Sequence, residues 1–348
     1  MKWMIYGANG YTGALIAREA KTRGLAPVLA GRSESKIGPL ARELGFESRI
    51  FGVGPAEEIA RHLDGVSLVL HCAGPFSATS APMIEACLRA KAHYLDITGE
   101  IAVFEHAQTK STEARAAGVV VCPGVGFDVI PTDCVAAALK AALPDANRLA
   151  LGFESESTLS AGTAKTTVEG LPQGGKVRRG GTILDVPHAY ETRRIDFGNG
   201  EKLAMTIPWG DVSTAYYTTG IPDIEVFTPS SPLVIFGARQ IHRLRWLFGW
   251  APVQGMLKSI AATAKGPGAE HLANQPTYVW GEVSNARGDK KTARIRTANG
   301  YAVTVTGSLA VIEYLLAHHP NGGTYTPAKL MGADLVTKLP GSSALSIT

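Results

Sequence analysis

A glycine-rich turn near the N-terminus carries the first residues whose spacing suggests chemistry. Gly7, Gly10 and Gly13 follow the pattern G-x-x-G-x-x-G, between an apolar run over 2–6 and a helical pattern over 11–23. Glycines at this spacing let the chain turn sharply beside a pyrophosphate and let a helix pack closely on a strand. The N–H groups at the start of that helix favour a bound phosphate. We therefore predict a dinucleotide site here; a glycine turn without a ligand is the alternative.

The residues after the second predicted strand indicate which dinucleotide is bound. NAD-binding domains carry an acidic residue there for the ribose 2′-hydroxyl. This chain has Ala30-Gly31-Arg32-Ser33 instead. A guanidinium binds a 2′-phosphate through charge-assisted hydrogen bonds, and Ser33 can add a donor. We therefore expect NADP(H) as the cofactor, and the alternative is that Arg32 is a solvated residue before a helix.

Three later predicted strands end in small or polar residues, on the side where a doubly wound sheet has its ligand crevice. Thr98 and Asp128 are candidates to hydrogen-bond the nicotinamide end or the substrate. Glu100 and Asp128 are each equally expected to cap a following helix or to touch the ligand. The complete predicted cofactor site consists of Gly7, Asn9, Gly10, Tyr11, Thr12, Gly13, Arg32, Ser33, Ala73, Gly74, Pro75, Thr98, Gly99, Gly126, Phe127 and Asp128.

The elements that must position these residues alternate between short apolar runs and helical patterns up to about residue 143. Strands are predicted at Lys2–Tyr6, Pro27–Ala30, Ser48–Phe51, Ser67–Cys72, His93–Asp96 and Val119–Cys122. Helices are predicted at Tyr11–Arg23, Ser35–Leu44, Ala56–His62, Ser80–Ala90 and Ala102–Ala117. This alternation predicts an α/β fold, with a Rossmann domain over residues 1–144 built on a doubly wound parallel sheet.

After Pro144 the pattern changes to longer segments with strand character. They predict a second, mixed α/β domain over 145–325, for substrate binding or dimerisation. The segments 278–284 and 292–297, joined by a polar turn, predict a β-hairpin. A helix is expected at Tyr301–Ala317.

Composition narrows the class of protein. Among 348 residues, 45% are hydrophobic and the formal charge is +4 with scattered cations, so a general nucleic-acid-binding role is not expected. We expect neither a secretory signal nor an apolar run of the roughly 18 residues that span a membrane. The four cysteines lack metal-binding spacing, so we expect no metal and no disulfides, and a reduced cytoplasmic setting in which they serve as buried filler rather than catalytic thiols.

Candidates for the proton donor that a reductase needs come from the second half of the chain. They are Lys165 and Thr163 in one segment, and Tyr216 or Tyr217 in another. We predict that Lys165 and Tyr216 are catalytic. A surface position without a catalytic role is an equal alternative for Lys165. The basic run 176–181 is expected to be a solvated loop rather than an anion clamp.

The segment 232–258 interleaves apolar and aromatic residues with arginines. An ordinary helix pair in a core or a dimer interface is one interpretation. The other interpretation is that the segment contacts a membrane surface peripherally or covers a hydrophobic substrate. Its composition favours a hydrophobic substrate, and a homodimer is a further expectation.

Several sequence blocks resemble those of one known family, and the resemblance extends over nearly the whole chain. The blocks are GANGYTG at 7–13, AGRS at 30–33, AGPF at 73–76, YLDITGE at 94–100, GFDVIPTD at 126–133, SAGTAKTTVEG at 160–170, VWGEV at 279–283 and TPAKLMGADLV at 326–336. They are similar to the saccharopine dehydrogenase-like NADP-binding oxidoreductases, which include bacterial trans-acting enoyl reductases. The resemblance implies a Rossmann domain followed by an α/β domain, with substrate between them. It also implies that the C-terminal segment 326–348 packs back toward the Rossmann domain.

The resemblance leaves the reaction open. We expect an NADPH-dependent oxidoreductase that transfers hydride to an apolar unsaturated or carbonyl small molecule, as an enoyl reductase does. Reduction of a C=N bond in saccharopine-type reductive amination is one alternative. A protein that binds NADP without catalysis is another.

Overall fold

A computed structural model describes residues 1–155, 160–264 and 275–348. They divide into two compact units, the first formed by Met1–Asp128 with Tyr301–Leu330 and the second by Val129–Gly300 with Met331–Thr348. This division differs from the predicted domains, because residues 129–144 belong to the second unit and residues 301–325 to the first. Each unit is therefore built from two separate stretches of chain.

The strands, in chain order, are β1 (Trp3–Tyr6), β2 (Val28–Gly31), β3 (Ser48–Ile50), β4 (Leu68–His71), β5 (His93–Asp96), β6 (Val120–Cys122), β7 (Arg148–Glu154), β8 (Gly175–Arg179), β9 (Thr182–Val186), β10 (Thr192–Asp196), β11 (Glu201–Thr206), β12 (Asp223–Pro229), β13 (Thr277–Ser284), β14 (Lys290–Thr297), β15 (Gly323–Thr324) and β16 (Ser346–Ile347).

The α-helices are α1 (Tyr11–Thr22), α2 (Glu34–Leu44), α3 (Ala56–His62), α4 (Phe76–Ala90), α5 (Ile101–Thr109), α6 (Ser111–Ala117), α7 (Ile130–Ala142), α8 (Ala161–Gly170), α9 (Asp211–Thr219), α10 (Pro232–Arg243), α11 (Arg245–Phe248), α12 (Ala251–Ala261), α13 (Gly300–Ala317) and α14 (Pro327–Met331). Two short 3₁₀ helices lie at Leu171–Gln173 and Val336–Lys338.

The first unit is built on a parallel sheet of seven strands in the order β15-β6-β5-β4-β1-β2-β3. Strands β1 to β6 have the Rossmann order, and every pairing in this sheet is parallel. Strands β1, β2 and β4 are buried along their whole length, as expected for a sheet that helices cover on both faces. The strand order reverses between β1 and β4, so a ligand crevice is expected beyond the carboxyl ends of those strands. The predicted doubly wound sheet is confirmed.

Two helix predictions in this unit need correction. The single helix predicted over Ala102–Ala117 is two helices, α5 and α6, which meet at Lys110. Helix α4 begins at Phe76, ahead of the predicted start at Ser80, because a distant carboxylate binds its first N–H groups, as described below.

The second unit contains a mixed sheet of nine strands. Its main order is β10-β11-β12-β7-β13-β14-β16, and β8 and β9 form a hairpin attached to β12. The predicted hairpin is confirmed: β13 and β14 are antiparallel in a register from Thr277 opposite Thr297 to Ser284 opposite Lys290. Helix α7, for which the sequence analysis gives no prediction, buries most of its residues, so it lacks the polar face that makes a helix recognisable by periodicity.

The expectation of a solvated loop over 176–181 is wrong. This run lies in the β8–β9 hairpin, where Val177 and Arg178 are buried. The Arg178 guanidinium donates hydrogen bonds to the carbonyl oxygens of Val212 and Gly181, at 2.8 and 2.6 Å. Backbone acceptors therefore compensate the burial of this cation.

The expectation that no apolar segment could span a membrane also needs correction. Within the described residues, α13 is long and apolar enough to do so by length and composition alone, and half of it is buried in the structure. Its buried side chains include Val303, Leu309 and Ile312, which pack as in a core helix.

Candidate cofactor-binding site

The turn after β1 connects the carboxyl ends of three strands. Gly7 has a φ of +83°, and its N–H donates to the carbonyl oxygen of Ala30 at 2.7 Å, at the end of β2. A Cβ placed on Gly7 would lie 2.8 Å from the backbone nitrogen of Ala73, just beyond β4. Only glycine fits, because both the backbone angle and the close approach exclude a side chain.

Gly10 and Gly13 bring the start of α1 onto this turn. The Gly10 N–H donates to the carbonyl oxygen of Gly7 at 2.9 Å. A Cβ on Gly13 would lie 2.5 Å from that same oxygen, whereas a Cβ on Gly10 would meet only it, at 3.3 Å. Helix α1 has no acidic residue in its first turn and no side-chain cap. The helix start therefore presents N–H groups and a positive dipole end next to the turn.

The end of β2 presents an exposed cation. Arg32 follows β2 and is exposed, and Ser33 precedes α2 with its hydroxyl 3.0 Å from that of Ser35. Burial raises the pKa of Tyr6, and the charge of Arg32 partly offsets that rise, which places Arg32 near the end of β1. A Cβ on Gly31 would lie 3.0 Å from the Asn9 side-chain oxygen. Asn9 and the Arg32 segment are thus neighbours, as the predicted site requires.

Glu100 acts as a helix cap. Its carboxylate accepts hydrogen bonds from the N–H groups of Phe76 and Ser77, at 2.9 and 2.7 Å. These residues start α4, so Glu100 caps that helix rather than the helix that follows it in sequence. A negative charge at a helix N-terminus is stabilising. The prediction that Glu100 caps the helix following it is therefore wrong, because its carboxylate binds the start of the preceding helix α4. The loop after β5 is thereby fixed against the loop after β4.

Asp96 at the end of β5 is a structural carboxylate that the sequence analysis did not select. It is fully buried and accepts hydrogen bonds from the Tyr94 hydroxyl at 2.7 Å and from the N–H groups of Thr98 and Gly124 at 3.0 and 2.8 Å. Burial raises its pKa to about 6, although these three donors oppose the rise. Asp96 therefore holds together the loops after β5 and β6, where the nicotinamide end of the predicted site lies. The sequence signal that could have identified Asp96 is its position as a single acidic residue at the end of an apolar strand.

The loops after β5 and β6 meet at Asp128. A Cβ on Gly99 would lie 2.7 Å from the Asp128 carboxylate, so the predicted residues Thr98, Gly99 and Asp128 are brought together. Asp128 is partly buried, and burial raises its pKa to about 7. It therefore holds a proton more readily than an ordinary Asp does.

The start of α13 adds residues that the sequence analysis missed. The Thr304 hydroxyl accepts a hydrogen bond from the Phe127 N–H at 3.0 Å, and a Cβ on Gly126 would lie 2.9 Å from the Thr304 methyl. Tyr301 makes an edge contact with Tyr11, with ring centroids 5.1 Å apart. These residues lie far from the turn in sequence, and nothing in the local pattern links them to it.

Behind the loop after β4 lies a buried imidazole. His71 is fully buried, its Nε2 lies 2.9 Å from the Thr79 hydroxyl, and burial lowers its pKa to about 3. The neutral ring can donate to Thr79, whose hydroxyl donates to the carbonyl oxygen of Ala73 at 2.8 Å. Residues 73–75 are therefore held in place from the core side.

The catalytic candidates lie in the second unit. Lys165 is a half-buried residue of α8, and the side chain of Thr163 is outside the described residues. Tyr216 lies on α9, with the Arg178 guanidinium 4.3 Å from its ring centroid; Tyr217 is 5.9 Å from the same cation. Tyr216 and Tyr217 therefore both lie beside a buried positive charge, and Tyr216 is the closer of the two.

The cysteine side chains and possible metal ligands are the remaining groups that could carry chemistry. All four cysteines are free, and three of them are buried. Burial raises the pKa of the Cys87 and Cys134 thiols, which disfavours the nucleophilic thiolate. Among the described residues, no group of three His, Cys, Asp or Glu side chains could hold a metal ion.

Comparison with known proteins identifies the first part of the chain. Residues 3–122 match the family model of the saccharopine dehydrogenase NADP binding domain. A lipid droplet localized protein of Caenorhabditis elegans is 31% identical over 144 residues, which are 37% of this chain and 34% of that protein. The saccharopine dehydrogenase-like oxidoreductase of Homo sapiens is 31% identical over 153 residues, 37% of this chain and 35% of the relative. A trans-acting enoyl reductase of Mycobacterium ulcerans is 29% identical over 145 residues, 37% of this chain and 33% of the relative.

Two solved structures share the fold over the whole chain. Saccharopine dehydrogenase (L-Glu forming) from Saccharomyces cerevisiae has a TM-score of 0.61 at 10% identity, with 100% of this chain and 99% of that chain covered. Homospermidine synthase from Legionella pneumophila, in complex with NAD, has a TM-score of 0.65 at 11% identity, with 100% and 91% covered. The sequence matches, by contrast, span about a third of the curated relatives. Residues 3–122 thus match the NADP-binding domain of the saccharopine dehydrogenase family, and the two solved structures share the fold of the chain.

Proposed function

We propose that this chain is an NADPH-dependent oxidoreductase that transfers hydride to an apolar unsaturated or carbonyl substrate, in the manner of an enoyl reductase. The observation that carries the proposal is the Gly7–Gly13 turn, which leaves no room for side chains at Gly7 and Gly13 and lies beside the Arg32 segment. The family match of residues 3–122 supports the cofactor. When bound, NADPH supplies the hydride.

Different residues of the first unit hold different parts of the cofactor. In this proposal the backbone of the Gly7–Gly13 turn holds the pyrophosphate, and Arg32 and Ser33 hold the 2′-phosphate. The loops at 73–75, 98–99 and 126–128 lie against the nicotinamide ribose and ring. Asp96, Glu100 and the start of α13 position those loops rather than touching the cofactor.

The choice of an apolar substrate rests on two observations. One relative carries the name trans-acting enoyl reductase, and another is named for lipid droplets. The second unit also exposes many large apolar side chains between residues 232 and 261. Reduction of a C=N bond and NADP binding without catalysis remain the alternative functions. An anionic amino-acid substrate would favour the first alternative, and absence of turnover would favour the second.

Tyr216 is the better-supported proton donor. Hydride addition leaves negative charge on the substrate, and a proton must neutralise it. Donation leaves a phenolate, and the buried Arg178 beside the Tyr216 ring stabilises such an anion. The side chain of Lys165 has no comparable charged partner among the contacts described for α8. Lys165 is therefore the second candidate.

The substrate, the membrane contact and the compartment complete the proposal. A small hydrophobic molecule is the proposed substrate, and the exposed apolar residues of 232–258 favour peripheral membrane contact over a homodimer through the same segment. The four free cysteines fit a reduced compartment such as the cytoplasm.

Replacement of Arg32 by Glu tests the assigned cofactor preference. We expect Arg32→Glu to weaken NADPH binding by about a hundredfold and NADH binding by less than threefold, because only NADPH carries a 2′-phosphate. Titration of intrinsic fluorescence with each cofactor measures both affinities. The matched control is Arg61→Glu on α3, an exposed charge reversal that should change neither. Equal effects of Arg32→Glu on the two cofactors would contradict the assignment.

Single substitutions at the two catalytic candidates test the proton donor. With a long-chain trans-2-enoyl thioester and NADPH, we expect Tyr216→Phe to lower kcat by about a hundredfold and to leave NADPH affinity unchanged. Tyr190→Phe, at an exposed tyrosine of the same unit, is the control. If Lys165→Met lowers kcat and Tyr216→Phe does not, the role belongs to Lys165.

The raised pKa of Asp128 predicts a pH-dependent effect on stability. A carboxyl whose pKa is higher in the folded state than in the unfolded state stabilises the fold at low pH, and this contribution is lost as pH rises from about 4 to 7. Asp128→Asn removes the ionisation, so its melting temperature relative to the unmodified protein should increase between about pH 5 and pH 8. Scanning calorimetry at both pH values measures this difference. A difference that is the same at both pH values would show that Asp128 does not ionise in this range.

A further inference from the structure

Helices α10, α11 and α12 expose an unusual number of large apolar side chains. Among the described residues, thirteen large hydrophobic side chains are exposed, and eight of them lie on this segment. They are Leu233, Val234, Phe236, Leu244, Trp246, Trp250, Met256 and Ile260. Leu233 is 78% exposed and Trp246 is 72% exposed. Soluble surfaces rarely expose so many large apolar residues in one segment, so a partner that covers them is expected.

The segment is nevertheless firmly attached to the second unit. Ile235 is buried, and the Gln254 side chain donates to the carbonyl oxygen of Val168 at 3.0 Å. Lys258 forms a 2.7 Å ion pair with Glu169 of α8. Packing and polar contacts thus attach the segment to the second unit, while its eight large apolar side chains stay exposed.

The charge on the segment has a single sign. No Asp or Glu occurs between Glu225 and Glu270, whereas the helices carry three exposed arginines, at 239, 243 and 245. Arg243 and Arg245 alternate with Leu244 and Trp246, so cations and apolar anchors are adjacent along the chain. Tryptophan and arginine side by side are typical of a surface that lies at the boundary between lipid headgroups and acyl chains.

We infer that residues 232–261 form a docking surface for an anionic phospholipid bilayer. The exposed apolar side chains enter the interface, and Arg239, Arg243 and Arg245 contact the phosphate groups. The inference rests on the proposed function in one respect, since an apolar substrate would be drawn from that bilayer. Binding itself does not require turnover.

A second copy of the chain fits this surface less well. In a twofold symmetric dimer the same patch meets itself, so the arginines of one copy would face those of the other. The segment contains no acidic residue that could neutralise them. A membrane with anionic headgroups complements the charge and covers the apolar residues at the same time.

Vesicle binding by the 348-residue chain, saturated with NADPH, tests the inference. The probes are vesicles of phosphatidylcholine alone and of phosphatidylcholine mixed with phosphatidylglycerol. We expect sedimentation with the mixed vesicles and a blue shift of tryptophan fluorescence, because Trp246 and Trp250 leave water. The double variant Arg243→Gln/Arg245→Gln should bind the mixed vesicles about thirtyfold more weakly. Phe236→Ser/Trp246→Ser should abolish binding.

Matched variants and a second measurement keep the result decisive. Arg61→Gln and Leu184→Ser change an exposed cation and an exposed leucine outside the segment, and both should bind vesicles like the unmodified protein. Absence of vesicle binding, or binding that the segment variants do not change, would overturn the inference. So would a dimer, seen by sedimentation velocity, that Phe236→Ser/Trp246→Ser dissociates. NADPH affinity of the same variants, measured without vesicles on cofactor-free samples, reports separately on the proposed function, because vesicle binding does not require turnover.

Discussion

The close approach of the chain around Gly7 is the constraint on which the first unit depends. The Gly7 nitrogen bonds the end of β2, its Cα lies against the start of the loop after β4, and its carbonyl oxygen contacts the α-carbon side of Gly13. Three strand ends and one helix therefore meet at a single residue that has no room for a Cβ. Because the turn is fixed by backbone contacts, its shape does not depend on the flexible side chains around it.

A second layer of buried polar groups holds the loops that face this turn. Asp96 joins the loops after β5 and β6, Glu100 binds the start of α4, and His71 acts through Thr79 on the loop after β4. Each of these groups, directly or through Thr79, forms hydrogen bonds with backbone N–H or carbonyl groups of the loops, and the two N–H groups that Asp96 binds are buried. The predicted cofactor residues are thus presented by a preorganised frame, and the residues that build the frame differ from those that would touch the ligand.

Much of the first unit was predictable from sequence, because its signals are local. The glycine spacing, the strands and the Arg32 segment each follow from a short stretch of chain. Contacts between distant segments were not predictable: Thr304 and Tyr301 reach the site from a helix that begins at residue 300, and the same helix makes the two compact units differ from the predicted domains. The burial of Arg178 was not predictable, because a basic run is normally solvated. Only the fold shows the carbonyl groups that compensate its burial.

The most direct test of the account is a crystal structure of the chain with NADPH bound. We expect the pyrophosphate to contact the backbone of the Gly7–Gly13 turn, and the 2′-phosphate to lie within hydrogen-bonding distance of Arg32 and Ser33. A cofactor bound elsewhere, or a 2′-phosphate in solvent away from Arg32, would contradict it.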